Sequence, residues 1–125
     1  MSEVRAKGLA LLASLLGDAY VEKRALTTNS FNRDLRELSE HCVGTVWTRP
    51  GLEPKTRSML CIAMLTALGK SAELRLHVQG ALNNGCSTDE IREVILQTVI
   101  YCGFPAAGEA SRIAEEVFDE RGIAR

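Results

Sequence analysis

The sequence has little that would build a sheet. No run alternates apolar and polar residues over the length of a strand, so strands do not organise the chain. Proline occurs only three times, at Pro50, Pro54 and Pro105, each beside a turn or a helix start. Aromatic residues make up 5% of the chain. The longest apolar-rich run, Met59 to Leu68, is far too short to span a bilayer. Charge of one sign is missing too: 15 Lys and Arg face 16 Asp and Glu, for a net charge of −1. Without a basic block, nucleic acid and anionic membranes are not expected partners. There is no Gly-rich phosphate loop, no catalytic Ser motif, no internal repeat and no low-complexity tract. The four cysteines, Cys42, Cys61, Cys86 and Cys102, form no C-x-x-C pair. Neither a zinc knuckle nor a dithiol redox motif is written locally, and no metal is expected. Met1-Ser2-Glu3-Val4-Arg5 carries no signal-peptide pattern, so a cytoplasmic location is expected, with buried free thiols.

What remains is helical periodicity. At 125 residues the simplest expectation is one all-α domain over residues 1–125, with about seven helices, two of them short. Glu3 to Leu16 places Val4, Leu9, Leu12, Leu15 and Leu16 in one stripe, and Gly17 ends it. Asp18 can cap a short helix over about Ala19 to Ala25. Asn29 or Ser30 can cap a helix over about Phe31 to Val46, whose stripe is Phe31, Leu35, Leu38, Cys42 and Val46. After the Pro50-Gly51 turn, Pro54 begins a helix to Leu68 that is apolar almost all round, the pattern of a central buried helix. Arg57 near its start opposes the helix dipole. It is either a surface residue or an anion binder.

Ser71 is the expected cap of the next helix, which ends at Asn84-Gly85. Leu74, Val78, Ala81 and Leu82 would face the core. Ser87 and Glu90 have capping-box spacing, and Ile91, Val94, Ile95, Thr98 and Val99 form the following stripe. That helix ends near Tyr101-Cys102-Gly103. From Pro105 a last helix turns Ala106, Ala107, Ala110, Ile113, Ala114, Val117 and Phe118 inward, and Gly122 closes it.

Chemistry concentrates in the helix after Ser71. Glu73 and His77 are spaced i, i+4, so both lie on one face, a turn apart. A carboxyl and an imidazole within mutual reach can pass a proton. The same spacing also suits a plain surface pair, with Glu73 favoured in the first turn by the helix dipole. His41 stands alone and reads as an exposed or locally satisfied helix residue.

Several segments, in order, carry a likeness. They are Leu16-Gly17-Asp18-Ala19-Tyr20-Val21, Arg49-Pro50-Gly51-Leu52, Thr56-Arg57-Ser58, Ala67-Leu68-Gly69, Glu73-Leu74, His77-Val78, Ala81-Leu82-Asn83-Asn84-Gly85, Glu90-Ile91 and Tyr101-x-Gly-x-Pro105-Ala106-Ala107. Together they resemble the carboxymuconolactone decarboxylase family over nearly the whole chain. The resemblance implies the helical fold of alkyl hydroperoxidase D-like proteins and self-association into trimers or hexamers. It implies decarboxylation of a carboxylated lactone to an enol-lactone and CO2, in the protocatechuate branch of aromatic catabolism.

That substrate would be its own electron sink, so no cofactor is expected. The protein must supply a partner for the developing dienolate oxygen and an acid that reprotonates carbon. On this reading His77 is the acid or oxyanion partner, Glu73 orients it or relays the proton, and Arg57 clamps a substrate carboxylate. Trp47, Asn83 and Tyr101 are further candidates for pocket walls and hydrogen bonds, with core packing or helix capping as their alternative roles.

Relatives that run a thiol peroxidase reaction carry C-x-x-C and a histidine on this helix. Here Lys70 and Glu73 stand at the cysteine positions, and neither can act as a thiolate. A peroxidase using the scattered cysteines is the second reading, and a non-catalytic ligand-binding oligomer the third. Where family decarboxylases carry Trp-Gly-Glu-Val-Trp, this chain has Val43-Gly44-Thr45-Val46-Trp47, a difference that bears on substrate identity.

Overall fold

Ser2 Oγ accepts a hydrogen bond from Arg5 N at 3.1 Å, and this cap begins α1 (Glu3–Leu16). The computed structural model describes residues 1–125. Six further helices follow: α2 (Asp18–Leu26), α3 (Arg33–Val46), α4 (Pro54–Leu68), α5 (Ser71–Asn83), α6 (Thr88–Cys102) and α7 (Phe104–Glu120). No strand is present. Backbone contacts fall into two compact units, Met1–Glu53 and Pro54–Arg125, which divide just before the proline that opens α4.

In the first unit α1 packs on α3, and Gly8 and Gly44 are the reason they can approach so closely. A Cβ on Gly8 would strike the Glu40 carbonyl, and one on Gly44 would strike the Val4 carbonyl, far inside any permitted separation. The two backbones therefore touch directly. Beside this contact Glu40 is buried and accepts from Arg5 Nε at 2.7 Å and from Arg24 Nε at 3.1 Å. One carboxylate thus ties α1, α2 and α3 together, and removing either guanidinium would leave a poorly compensated buried charge.

This packing reverses the expectation for α3. Its stripe of Phe31, Leu35, Leu38, Cys42 and Val46 is exposed. The buried residues are Glu40 and Gly44, about half a turn of the helix away. The glycine face wins because only it allows backbone contact. Phe31 lies outside the helix altogether: Asn29 Oδ1 accepts from the N–H groups of Phe31 and Asn32, and this side-chain turn delays α3 until Arg33. At α2, the helix takes in Asp18 itself, and Gly17 occupies the cap position.

In the second unit Ile62, Leu74, Val78, Ala81, Ile91, Ile95, Ile113 and Val117 form the core. Fully burying a side chain such as Ile or Val contributes about 1.5–3 kcal/mol. The expectation of an all-round buried α4 does not hold. Only Ser58, Ile62 and Thr66 are buried, while Leu60, Met64 and Leu68 are exposed. Within the unit α4 packs against α5, α6 and α7. Thr66 stays compatible with burial because its Oγ1 donates to Ile62 O at 2.7 Å.

Helix ends follow ordinary chemistry. Ser87 and Glu90 form the expected capping box, with both bonds at 3.0 Å. Ser71 is a correction: Lys70 holds the cap position of α5, and Ser71 Oγ donates to Glu109 Oε1 at 3.4 Å. Gly103, at φ +86, ends α6 and starts α7 in one residue, a turn that a left-handed conformation makes possible.

The α1–α3 contact sets a test by sign. Helix propensity alone favours alanine over glycine by about 1 kcal/mol. The backbone clash predicts instead that Gly44→Ala destabilises by about 1–3 kcal/mol in urea unfolding. A more stable variant would contradict the packing.

Candidate functional site

The expected acid–imidazole helix is α5, and its neighbour is α4. The link between them is only Gly69 and Lys70, so the chain doubles back. Asn84, just past the end of α5, donates from Nδ2 to Ser58 Oγ at 3.0 Å and to Pro54 O at 3.3 Å, at the start of α4. The two helices are therefore antiparallel, and Asn84 marks the side of α5 turned to α4. His77 lies seven residues earlier, two turns along the same stripe.

His77 is half-buried and Glu73 exposed. Burial pushes the His77 imidazole below the ordinary histidine value, and the negative charge of Glu73 partly opposes this. The two groups are thus electrostatically coupled, as their spacing anticipates. The imidazole is held toward its neutral form, able to donate from one nitrogen and accept at the other.

Arg57 is half-buried at the end of the first turn of α4. It stands about 100° round the helix from Ser58, and about 200° from Lys55, whose ammonium meets Glu90 of α6 at 2.8 Å. Arg57 is therefore on the flank of α4 away from α6. In this antiparallel pair it lies level with Asn84, on the order of 10 Å along the axis from His77.

Each of the other candidates is described by its own surroundings. Asn83 lies about 120° round α5 from His77, and its Oδ1 accepts from Arg121 Nη2 at 2.9 Å. That contact fastens α5 to the end of α7. Tyr101 is exposed at the end of α6. Trp47 is half-buried at the cap of α3, in the first unit. His41 is exposed.

The four cysteines are all free thiols. Burial raises the Cys61 thiol, as its apolar helix suggested. Burial likewise raises Cys86, helped by Glu90 and opposed by Lys55. A raised thiol is a poor source of thiolate near neutral pH. No three or more His, Cys, Asp or Glu side chains gather in a metal-holding group, and no helix is long and apolar enough to cross a membrane.

Sequence reasoning missed Ser58 and treated Asn84 only as part of a helix stop. A serine at the start of the buried stripe of α4, fully buried here, is the signal that a polar partner must meet it.

An all-helical unit carrying a coupled carboxylate and imidazole on one helix, with an arginine on the adjoining helix, has the furniture of a small acid–base enzyme. The model of the carboxymuconolactone decarboxylase family matches residues 34–116, and the chain belongs to that family. The helical fold is that of the alkyl hydroperoxidase D-like proteins. A 4-carboxymuconolactone decarboxylase of Acinetobacter baylyi is 43% identical over 119 residues, covering 94% of this chain and 89% of the relative. A nitrosuccinic acid decarboxylase of Metarhizium robertsii is 37% identical over 115 residues, covering 91% of this chain and 80% of the relative. Both relatives are decarboxylases.

The burial of His77 has a pH consequence. Its folded-state value lies below its unfolded one, so the unfolded chain binds the proton more readily. Stability from a neutral buried His77 is present above the unfolded value of about 6.5 and is lost as pH falls through the window beneath it. Urea midpoints should therefore drop more between pH 7.5 and 5.5 for the wild type than for His77→Gln. Equal drops would show that His77 is not the group responsible.

Proposed function

We propose that this chain decarboxylates 4-carboxymuconolactone, or a closely related carboxylated lactone, to 3-oxoadipate enol-lactone and CO2. The observation that carries the proposal is the half-buried His77, coupled to Glu73 on α5, in a chain similar along most of its length to a decarboxylase of that lactone.

The chemistry divides cleanly between substrate and protein. The bond from the ring to the departing carboxylate breaks, and its electron pair enters the conjugated C=C bond and runs onto the ring carbonyl oxygen. CO2 leaves and a dienolate remains. A proton then returns to carbon and restores the carbonyl. The substrate accommodates the electrons by itself, so the reaction calls for no cofactor.

His77 is the group that meets this sequence. As a neutral imidazole its N–H donates to the developing dienolate oxygen. A bound carboxylate would draw it toward the imidazolium, which can deliver the proton. Glu73, exposed one turn away, orients the ring or passes protons between it and water. Arg57 pairs with a substrate carboxylate. Its backbone stands on the order of 10 Å from that of His77 along the helix axes. Trp47, Asn83 and Tyr101 keep at most supporting roles, since Asn83 is already engaged by Arg121 and Tyr101 stands exposed. The difference at Val43-Gly44-Thr45 supports testing related lactones beside 4-carboxymuconolactone.

We further place the enzyme in the cytoplasm as a homo-oligomer, a trimer or hexamer. The support for association is the outward-facing stripe of Phe31, Leu35, Leu38 and Val46 on and beside α3, apolar surface of the kind that association covers. Sedimentation should give a particle well above the 13.7 kDa of one chain; a monomer would overturn this part.

Turnover is followed as ultraviolet loss of 4-carboxymuconolactone across a panel of carboxylated lactones. The wild type should consume at least one of them, and His77→Ala and Glu73→Ala should each lower kcat by about a hundredfold or more. Near-normal activity in both variants would remove the roles assigned to them. An inert wild type would remove the function.

A further inference from the structure

We propose that Asn84 is a positioning residue for Arg57, a role that rests on the decarboxylase reading above. Asn84 sets where the first turn of α4 sits against α5, and so fixes the base of the carboxylate clamp relative to His77.

The turn after α5 is built to hold still. Gly85, at φ +90, allows the left-handed step, and Cys86 N donates back to Ala81 O at 2.9 Å. This is a closed helix end of the Schellman kind. From it two side chains reach the start of α4. Asn84 Nδ2 donates to Ser58 Oγ at 3.0 Å and Pro54 O at 3.3 Å, and Cys86 Sγ donates to Lys55 O at 3.6 Å. The Lys55 ammonium is held in turn by Glu90, just inside α6.

Arg57 therefore has a fixed residue on either side of it along the chain, at Lys55 and at Ser58. Ser58 is fully buried, so losing the Asn84 amide would take a partner from a hydroxyl that solvent does not reach. Asn84 and His77 ride on one stripe of α5. A shift at Asn84 thus changes the distance between Arg57 and His77 without touching either side chain. A long arginine side chain loses much rotamer freedom when it binds, and a steady base reduces what remains to be ordered.

The experiment uses the full chain carrying Asn84→Ala, Ser58→Ala and both. An arginine that holds a substrate carboxylate equally in the ground state and the transition state acts on KM, not kcat. Asn84→Ala should raise KM for the turned-over lactone about tenfold with kcat within about twofold. Ser58→Ala should do the same to a smaller degree, and the double variant should be no worse than Asn84→Ala. In an Arg57→Ala background, Asn84→Ala should add nothing.

A lower kcat and lower Tm at unchanged KM would mean that Asn84 serves the fold alone, and would overturn the proposal. A second readout does not need turnover. The Arg57 Nε–H resonance, identified by its loss in Arg57→Lys, should show a reduced heteronuclear NOE in Asn84→Ala. An unchanged NOE would overturn the proposal even in an active enzyme. If the wild type leaves every lactone untouched, the functional reading fails, and the NOE decides the positioning role by itself.

Discussion

A half-buried histidine one turn from a carboxylate is the constraint on which the proposed site depends. Water stabilises imidazolium and an apolar wall does not, so burial holds His77 toward its neutral form. Glu73 pulls the other way from one turn earlier. The balance leaves a ring that can donate a hydrogen bond without carrying a permanent charge, and that can still take up a proton once a further anion arrives. Neither neighbour alone would give that behaviour. A fully buried ring would stay neutral, and a fully exposed one would face competition from water.

The rest of the second unit fixes where α5 lies. Leu74, Val78 and Ala81 anchor α5 in the core, which fixes the rotation of the helix and so the side on which His77 emerges. Arg121 fastens Asn83 to the end of α7, and an ion pair of Arg75 with Glu116 joins the same two helices near the other end. Asn84, about 100° further round, fastens α5 to α4. The first unit relies on different physics: two glycines bring backbones together, and a single buried carboxylate answers two guanidinium groups. Little apolar surface of α3 is used in that packing, which is why its apolar stripe is left outward.

Much of the architecture was legible because helix periods and punctuation agree. The ends of α1, α4 and α6 fall where caps, proline and glycine put them, and the capping box at Ser87 formed as its spacing required. The two misread helix faces share one cause. Periodicity shows that a stripe is apolar, but not what covers it. In α3 a glycine face outcompeted the apolar one, and in α4 the neighbours cover Ser58, Ile62 and Thr66 while Leu60, Met64 and Leu68 stay exposed. Glu40 could not be foreseen either, since its partners Arg5 and Arg24 are distant in sequence. For the site, the i, i+4 pair was readable from spacing. The Asn84–Ser58 bond was not, because it joins two helices and each residue has an ordinary local explanation. Asn83, a candidate for a pocket hydrogen bond, meets Arg121 just past α7, a contact its local sequence does not announce.

The most direct measurement is an NMR titration of the His77 ring. With only two histidines in the chain, a His41→Gln variant leaves a single imidazole to follow. The account predicts a midpoint below the ordinary value of about 6.5, moving lower still when Glu73→Gln removes the opposing charge. A midpoint at or above that value, indifferent to Glu73→Gln, would mean that the imidazole sits in water apart from the carboxylate, and the proton chemistry assigned to α5 would not stand.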